Sequence, residues 1–278
     1  MHGLLAWVGL TLLVVATGCN ATSQDDPINQ AGATQSPTAS RQKLTVFAAA
    51  SLTGAFPEIG KAFEYAHPGV QVSFNFAGSQ ILRTQLEQGA SSDVFASADH
   101  KNMDSLVAEN LITAKTVQDF ASNSLTVILP SWNPGKLLTL SDLARPGLKL
   151  VLADASVPAG NYARQLLDKM SQEAAYGADF SAKVLANVAS NETDVKQVVA
   201  KVELGEADAG IVYVSDAKAT PGLSMLAIPT NFNVVASYPV AVLANAPEPV
   251  LAQEFVAYVT SPEGQAILSE WGFTPPLP

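Results

Sequence analysis

Four turns of this sequence could bind an anion through their backbone. Each carries small or hydroxylated residues where a helix is predicted to begin, at residues 50–53, 77–80, 157–161 and 192–195. The N–H groups in the first turn of a helix have no partner within the helix, and with the positive end of the helix dipole they attract an anion without any charged side chain. Serine, threonine and aspartate are also ordinary helix caps, so one such turn alone would indicate only capping. Four of them in one chain favour an anion-binding site.

Ser51, in the first of these turns, could instead be the nucleophile of an enzyme. A serine nucleophile needs a neighbouring base. His2 lies in the export signal described below, His67 precedes a Pro-Gly turn, and His100 lies in no catalytic motif. The sequence also has no Gly-x-Ser-x-Gly motif. We therefore predict that the protein is not an enzyme.

Three aspartates, Asp93, Asp99 and Asp104, could suggest a metal site. Their spacing is not that of a calcium-binding loop, and solvated or helix-capping carboxylates explain them more simply. We therefore expect no resident metal ion and no cofactor.

Alternating strand and helix patterns predict the framework that positions the four turns. Strands are predicted at residues 44–47, 70–76, 94–96, 125–129, 148–152, 210–214 and 238–243, and helices at 53–66, 79–89, 162–170, 194–204 and 248–260. This order favours an α/β protein of two lobes, each an open, mostly parallel sheet flanked by helices. In such sheets ligands bind beyond the carboxyl ends of the strands, where loops lead into helix starts.

The composition is that of an acidic globular protein. The chain has 278 residues, 48% of them hydrophobic, and a formal net charge of -10. Single cores stop growing at about 250 to 300 residues, so two lobes are the better expectation. The acidic balance argues against a nucleic-acid partner, which would need a clustered basic surface. Net repulsion of an anion is screened within about 8 Å at physiological salt, whereas neutral donors act at contact.

The first 18 residues resemble a bacterial export signal that ends at Cys19, the single cysteine. Residues 4–15 are almost entirely apolar, which is too short a stretch to span a bilayer but suits a cleaved signal. The sequence up to the cysteine, Ala-Thr-Gly-Cys, resembles the lipoprotein signal, in which the cysteine is lipidated. It departs from that signal at Ala16, where leucine is usual, and in lacking Lys or Arg before the apolar stretch. Residues 19–42 are polar and predict a flexible tether, so we expect an exported protein anchored to the outer face of the cell membrane.

The residues alone leave one other interpretation of Cys19 open and exclude a second. An ordinary buried thiol is the simpler alternative to a lipid anchor, since cysteine is among the most buried residue types. An internal disulfide is excluded because the chain has no second cysteine.

Segments around the four turns resemble the periplasmic molybdate-binding proteins that supply ABC importers. They occur in the family's order at residues 47–52 (Phe-Ala-Ala-Ala-Ser-Leu), 76–79 (Phe-Ala-Gly-Ser), 93–99 (Asp-Val-Phe-Ala-Ser-Ala-Asp), 157–163 (Val-Pro-Ala-Gly-Asn-Tyr-Ala), 210–217 (Gly-Ile-Val-Tyr-Val-Ser-Asp-Ala) and 238–242 (Tyr-Pro-Val-Ala-Val). Each segment alone is weak evidence. As an ordered set over most of residues 44–273, they are highly specific.

The resemblance implies both a site and an architecture. In that family two serine hydroxyls, backbone groups at two further helix starts and a tyrosine hydroxyl hold the oxyanion; here these are Ser51, Ser79, Ala159, Val195 and Tyr213. The implied ligand is molybdate, with tungstate expected to bind as well because it is nearly the same size. The implied lobes are residues 43–123 with 236–278, and residues 124–235, in a monomer that closes around its ligand and is recognised by the permease of an ABC importer. The molybdenum of the ligand would be the only metal.

Alternatives stay open at this stage. Sulfate is also fully ionised and would have to be rejected by its shorter bonds, whereas phosphate near neutral pH carries a proton that needs an acceptor. Leaving a buried group unpaired costs about 1 to 3 kcal/mol, so a site with donors only should exclude phosphate. Ferric-ion receptors of the same architecture generally use adjacent tyrosines, whereas Tyr213 is flanked by valines. Without the resemblance, Tyr213 could equally be a core residue.

Overall fold

The computed structural model describes residues 42–277. The predicted export signal, Cys19 and most of the predicted tether lie outside the described residues. Gln42, the last residue assigned to the tether, begins the first strand, and its N–H donates to the carbonyl of Gly69 at 3.0 Å. No helix within residues 42–277 is both long enough and apolar enough to cross a membrane.

The strands of the described chain form two sheets of five. In chain order they are β1 (Gln42–Ala49), β2 (Val70–Ala77), β3 (Val94–Ala96), β4 (Gln118–Asn123), β5 (Leu125–Pro130), β6 (Leu150–Ala153), β7 (Val188–Glu192), β8 (Ala209–Tyr213), β9 (Leu223–Leu226) and β10 (Ala236–Val242). The strand order is β2-β1-β3-β10-β4 in the first sheet and β7-β6-β8-β5-β9 in the second. In each sheet four strands run in one direction, and one strand, β10 or β5, runs antiparallel to both of its neighbours. The sheets were predicted to be mostly parallel. Each is in fact a mixed sheet, because one of its five strands is reversed.

Helices cover both sheets. They are α1 (Ala55–Ala66), α2 (Ser79–Glu87), α3 (His100–Ala108), α4 (Pro158–Ser171), α5 (Phe180–Ala186), α6 (Val195–Glu203), α7 (Val214–Lys218), α8 (Pro249–Thr260) and α9 (Pro262–Glu270). We call the first sheet with α1–α3, α8 and α9 the first lobe, and the second sheet with α4–α7 the second lobe. Short 3-10 helices at Ala50–Leu52, Ala114–Thr116 and Leu140–Ala144 complete the regular structure of the described residues.

The apolar spacing that predicts α1 also explains its packing. Phe56, Ile59 and Phe63 lie on one face of this helix and are fully buried. The rings of Phe56 and Phe63 meet Phe255 of α8 edge-on, with centroids 6.2 and 5.3 Å apart. The helix ends just before a Pro-Gly turn in which Gly69 has a φ of 95°, a conformation that glycine adopts without strain.

The predicted two-lobed α/β fold is confirmed, and every predicted strand and helix is present with its ends shifted by at most about four residues. The sequence patterns miss β4, β7 and β9 and the helices α3, α5, α7 and α9. The three missed strands all lie at sheet edges. An edge strand has fewer neighbours to pack against, and these three, unlike the edge strand β2, have neither an apolar run nor strict alternation.

The chain passes between the sheets twice, from β4 to β5 and from β9 to β10. Asn233, in the second crossing, ties the two crossings together. Its side-chain oxygen accepts from the N–H of Leu125 at 2.9 Å, and its amide nitrogen donates to the carbonyl of Leu125 at 2.8 Å. The two connections between the lobes are thus held side by side. The lobe boundaries given by the resemblance stay a prediction.

Candidate functional site

The five residues predicted to bind an oxyanion line one small cavity between the lobes. Its lining consists of Ala49, Ala50, Ser51, Gly78, Ser79, Ala98, Val157, Pro158, Ala159, Val195 and Tyr213. The first lobe supplies the residues up to Ala98, and the second lobe supplies the rest. No residue of this lining carries a charged side chain. The cavity is therefore suited to a small ligand held by neutral groups.

Four helical turns of the described chain contribute to this cavity residues whose backbone N–H groups are free. Ser51 lies in the 3-10 helix after β1, Ser79 is the first residue of α2, Ala159 is the second residue of α4, and Val195 is the first residue of α6. Backbone N–H groups at such positions have no partner in their own helix, and within residues 42–277 none of these four donates to a protein acceptor. Local sequence explains the starts of two helices, since Asp194 caps α6 through the N–H of Gln197, and Pro158 occupies the first position of α4. The first turns of these helices thus offer several donors to one ligand.

The hydroxyl groups of Ser51 and Ser79 each have a hydrogen-bond partner within the protein. The oxygen of Ser51 lies 2.9 Å from the hydroxyl oxygen of Tyr238, and both side chains are buried. The oxygen of Ser79 accepts from the backbone N–H of Ala98 at 3.0 Å. Sequence reasoning assigned no role to Tyr238 or Ala98, although both lie in the quoted segments, because only the pairing of β3 with β1 and β10 brings them to the site.

Tyr213 ends β8 and is 1% exposed. Its hydroxyl has no hydrogen-bond partner within residues 42–277, although an unpaired buried hydroxyl is costly. Burial raises the pKa of Tyr213 well above its usual value, and the nearby Tyr238, Tyr162, Asp99 and Asp216 add to this effect. At neutral pH the group is therefore a neutral hydroxyl with a hydrogen to donate and a cavity beside it.

An ion pair between a partly exposed lysine and a buried aspartate joins α6 and α7. The ammonium group of Lys196 lies 2.9 Å from a carboxylate oxygen of Asp216, which is fully buried. Burial raises the pKa of Asp216, while the charge of Lys196 opposes this rise. Lys196 directly follows Val195, and Asp216 is three residues beyond Tyr213. The ion pair therefore connects the segment that carries Val195 to the segment that carries Tyr213. Its positive charge is matched within the protein, so the cavity keeps its neutral lining.

The lobes also contact each other directly beside the cavity. The side-chain amide of Gln80, in the first lobe, donates to the carbonyl of Thr193, in the second lobe, at 2.8 Å. Gly78 approaches the same carbonyl so closely that a Cβ atom built on it would lie 2.6 Å from the oxygen. The structure therefore has the lobes in contact across the site.

The two histidines within residues 42–277 have partners other than Ser51. His67 lies 2.9 Å from the carbonyl of Phe63 and 3.5 Å from the carboxylate of Glu254, while His100 lies 2.7 Å from the carboxylate of Asp119. Neither histidine lines the cavity. The side-chain partner of Ser51 is a tyrosine of raised pKa rather than a base. That the protein is not an enzyme stays a prediction.

Two of the three aspartates considered as metal ligands have structural partners, and the third, Asp104, is exposed. The carboxylate of Asp93 accepts from the N–H groups of Thr45 and Glu248, both at 2.7 Å, and Asp99 caps α3 through the N–H of Asn102 at 3.0 Å. Within residues 42–277, no group of three or more histidine, cysteine or acidic residues is arranged to hold a metal ion.

Comparison with known proteins relates the whole described body to extracytoplasmic receptors. A family model described as bacterial extracellular solute-binding protein matches residues 44–274. The molybdate-binding protein ModA of Mycobacterium tuberculosis (strain ATCC 25618 / H37Rv) is 39% identical over 277 residues, which cover 98% of this chain and 100% of that protein. A putative ABC transporter substrate-binding lipoprotein of Bacillus subtilis (strain 168) is 29% identical over 276 residues, 95% of each chain. A solved structure, the substrate-binding domain of a putative molybdenum ABC transporter from Clostridium difficile, has a TM-score of 0.63 and 30% identity, covering 84% of this chain and 98% of that one.

Proposed function

Because this chain belongs to the bacterial extracellular solute-binding proteins, and to the molybdate-binding proteins among them, we propose that it captures molybdate between its lobes and delivers it to an ABC importer. The proposed ligands of the oxyanion are the hydroxyls of Ser51, Ser79 and Tyr213 and the backbone N–H groups of Ala159 and Val195. These groups come from both lobes, so the ligand itself would bridge them. The chain would act by binding and release and not by catalysis.

The observation that carries this proposal is the unpaired hydroxyl of Tyr213. It is buried, it lines the cavity, and within residues 42–277 it has no partner. A buried polar group of this kind is normally satisfied, so a missing acceptor is expected in the cavity. The other groups around the cavity are donors too, and an oxyanion supplies acceptors in several directions at once.

A donors-only site also determines which oxyanions can bind. Hydrogen phosphate would bring a proton that finds no acceptor, at a cost of about 1 to 3 kcal/mol. Molybdate and tungstate are fully ionised near neutral pH and have nearly the same size, so we propose that both bind. Sulfate is also fully ionised, and its shorter bonds would leave some of the donors too distant.

Calorimetric titration of the purified protein tests this proposal. We expect heat with molybdate and with tungstate near neutral pH, no heat with phosphate, and no effect of added phosphate on the molybdate isotherm. The physical reason is the absence of an acceptor for the phosphate proton. Heat with sulfate, but with neither molybdate nor tungstate, would assign the site to sulfate instead.

The same titration with Tyr213→Phe tests whether the hydroxyl of Tyr213 binds the ligand. Loss of a hydrogen bond to a charged ligand should weaken molybdate binding by about 1 kcal/mol or more, which is roughly fivefold. Tyr176→Phe is a matched control, since Tyr176 also lies in the second lobe but packs against Phe180 and Phe232, away from the cavity. If both variants bound molybdate like the native protein, Tyr213 would not be a ligand.

We also propose how the lobes cooperate with the importer. The lobes would be residues 43–123 with 236–278 and residues 124–235, moving about the two crossings that Asn233 joins. Closure around the ligand would create the surface that the permease recognises, as in other hinge-closing receptors. The receptor would act as a monomer, because the site is complete within one chain.

Attachment to the outer face of the cell membrane is proposed from the N-terminal sequence. Cys19 follows an apolar stretch and two small residues, and the relative from Bacillus subtilis is named a lipoprotein. Mass spectrometry of the mature protein should find a lipidated N-terminal cysteine at position 19. An N-terminus at any other residue, or an unmodified Cys19, would contradict this proposal and leave molybdate binding unaffected.

A further inference from the structure

We infer that Tyr238 is a positioning residue for the site, because it donates its hydroxyl hydrogen to Ser51 and so directs the hydrogen of Ser51 into the cavity. The inference rests on the proposed function, since it concerns how the same site recognises an oxyanion. Tyr238 does not line the cavity itself. It acts on the ligand through Ser51.

The direction of this hydrogen bond follows from counting hydrogens. The two hydroxyl oxygens lie 2.9 Å apart, and their geometry allows either group to donate. Ser51 has one hydroxyl hydrogen, which it must give to the oxyanion when it acts as a ligand. Only Tyr238 can then donate between the two hydroxyls. Burial raises the pKa of Tyr238 well above its usual value, so its hydrogen is retained at neutral pH.

The ring of Tyr238 is held in place by aromatic neighbours. Tyr238 is fully buried in β10. Its ring meets those of Phe120 and Phe273 almost perpendicularly, at centroid distances of 6.2 and 5.3 Å, and lies 5.8 Å from the ring of Tyr213. Edge-to-face packing on several sides fixes the ring and therefore the position of its hydroxyl oxygen beside Ser51.

The second serine shows the same arrangement with a different donor. Ser79 accepts from the backbone N–H of Ala98 at 3.0 Å, a group that can only donate. Each serine oxygen is therefore engaged from the protein side, which leaves its own hydrogen for the cavity. At Ser79 a backbone N–H sets the direction of the serine hydroxyl hydrogen. At Ser51 the Tyr238 side chain sets it, so a substitution that removes the tyrosine oxygen can test its role.

The consequence is selectivity rather than affinity alone. With Tyr238 donating, one of the two lone pairs of the Ser51 oxygen is occupied, so fewer orientations of the Ser51 hydroxyl place a lone pair toward a proton on the ligand. Without the Tyr238 hydroxyl, the Ser51 hydroxyl can rotate and accept, so a protonated oxyanion such as hydrogen phosphate finds the acceptor it needs. Tyr238 therefore contributes to the rejection of protonated oxyanions.

Tyr238→Phe in the full chain tests this inference by calorimetry with molybdate and with phosphate. We expect molybdate affinity to fall about three- to tenfold, as for the loss of one hydrogen bond in a network, and phosphate binding to become stronger relative to molybdate binding. Tyr258→Phe is the matched control, because Tyr258 also lies in the first lobe with its ring edge-on to a phenylalanine, Phe63. Its ratio of molybdate to phosphate affinity should equal that of the native protein.

A double-mutant cycle with Ser51→Ala separates positioning from a general effect on folding. If Tyr238 acts through Ser51, adding Tyr238→Phe to Ser51→Ala should cause no further loss of molybdate affinity. Equal losses in both backgrounds, or an unchanged molybdate-to-phosphate ratio in Tyr238→Phe, would overturn the inference. A native protein that gives no heat with molybdate or tungstate would instead overturn the proposed function. Thermal unfolding of each variant, without ligand, checks that the compared proteins are folded.

Discussion

Replacing Val195 with proline should weaken molybdate binding by about ten- to a hundredfold while leaving α6 in place. The substitution removes the backbone N–H at the first position of this helix, where Val195 lines the cavity. Loss of a hydrogen bond to a charged group costs about 1.5 to 3 kcal/mol, which gives the expected range. The proline ring would also occupy space that the N–H leaves open to an oxyanion. Calorimetric titration with molybdate measures the effect.

The helix should tolerate this proline because its start is already suited to one. Proline is favoured at the first helical position, and α4, α8 and α9 each begin with proline. The residue before a proline must be extended, and Asp194 has φ -157° and ψ 168°. The capping bond from the N–H of Gln197 to Asp194 does not involve the lost group. Circular dichroism of the variant should therefore match that of the native protein.

Val195→Ala is the matched control for the side chain. It keeps the N–H and removes most of a side chain that is 3% exposed, so it should lower the unfolding free energy while changing molybdate affinity by no more than about threefold. A proline variant that bound molybdate as tightly as the alanine variant would show that the N–H of Val195 is not a ligand. The comparison isolates a single backbone donor, which no side-chain deletion can do.

The sequence predicted the parts of this site that depend on local structure. Ser51, Ser79 and Tyr213 lie in recognisable segments, and the turns before predicted helices indicated anion binding without reference to any family. Ala159 and Val195 followed only from the resemblance, because a residue that contributes its backbone leaves no mark in its side chain. All five line one cavity.

The interactions that the sequence could not reveal join residues far apart in the chain. Tyr238 meets Ser51 across 187 positions because β10 returns to the first sheet and pairs with β3 and β4. The pairing of Lys196 with Asp216 likewise requires α6 and α7 to lie side by side. Periodicity reports which face of an element is buried, but not which element it is buried against. These contacts behind the cavity therefore depend on how the strands and helices are arranged in the fold. No local sequence pattern indicates that β5 and β10 run antiparallel to their neighbours.

Neutral donors also reconcile the site with the charge of the protein. The chain carries a formal net charge of -10, and the cavity lining has no cationic side chain to offset it. Lys196, close by in sequence, is paired with buried Asp216. The attraction for a dianion must then come from helix starts and hydroxyls acting at contact. Binding at such a site depends on the distance between the lobes, because donors from both lobes must reach the ligand at the same time.

Replacing Gly78 with alanine should therefore prevent full closure and weaken molybdate binding by at least about tenfold. Gly78 has φ -57° and ψ 138°, which alanine adopts without strain, so the glycine is not required by its backbone conformation. A Cβ atom there would lie 2.6 Å from the carbonyl oxygen of Thr193 and also close to the Gln80 amide. The Gln80 side chain can move, but the Thr193 carbonyl belongs to the backbone of the second lobe, so the lobes must separate. Separation would draw the second lobe's N–H donors away from the ligand, at about 1.5 to 3 kcal/mol for each hydrogen bond lost.

Two measurements and two controls distinguish a steric block from a lost hydrogen bond or a general effect of alanine. Small-angle X-ray scattering should show that molybdate reduces the radius of gyration of Gly78→Ala less than that of the native protein, and calorimetry should show the weaker binding.

Gln80→Ala removes the hydrogen bond to Thr193 but adds no atom, so it should cost only about threefold in affinity. Gly222→Ala, at a turn where a Cβ would meet nothing closer than 3.9 Å, should bind molybdate like the native protein. If Gly78→Ala bound molybdate with native affinity and compacted normally, the close approach of the lobes at Thr193 would not be part of the bound state. If it lost both, contact between the lobes at this point would be required for the donors of both lobes to reach one oxyanion.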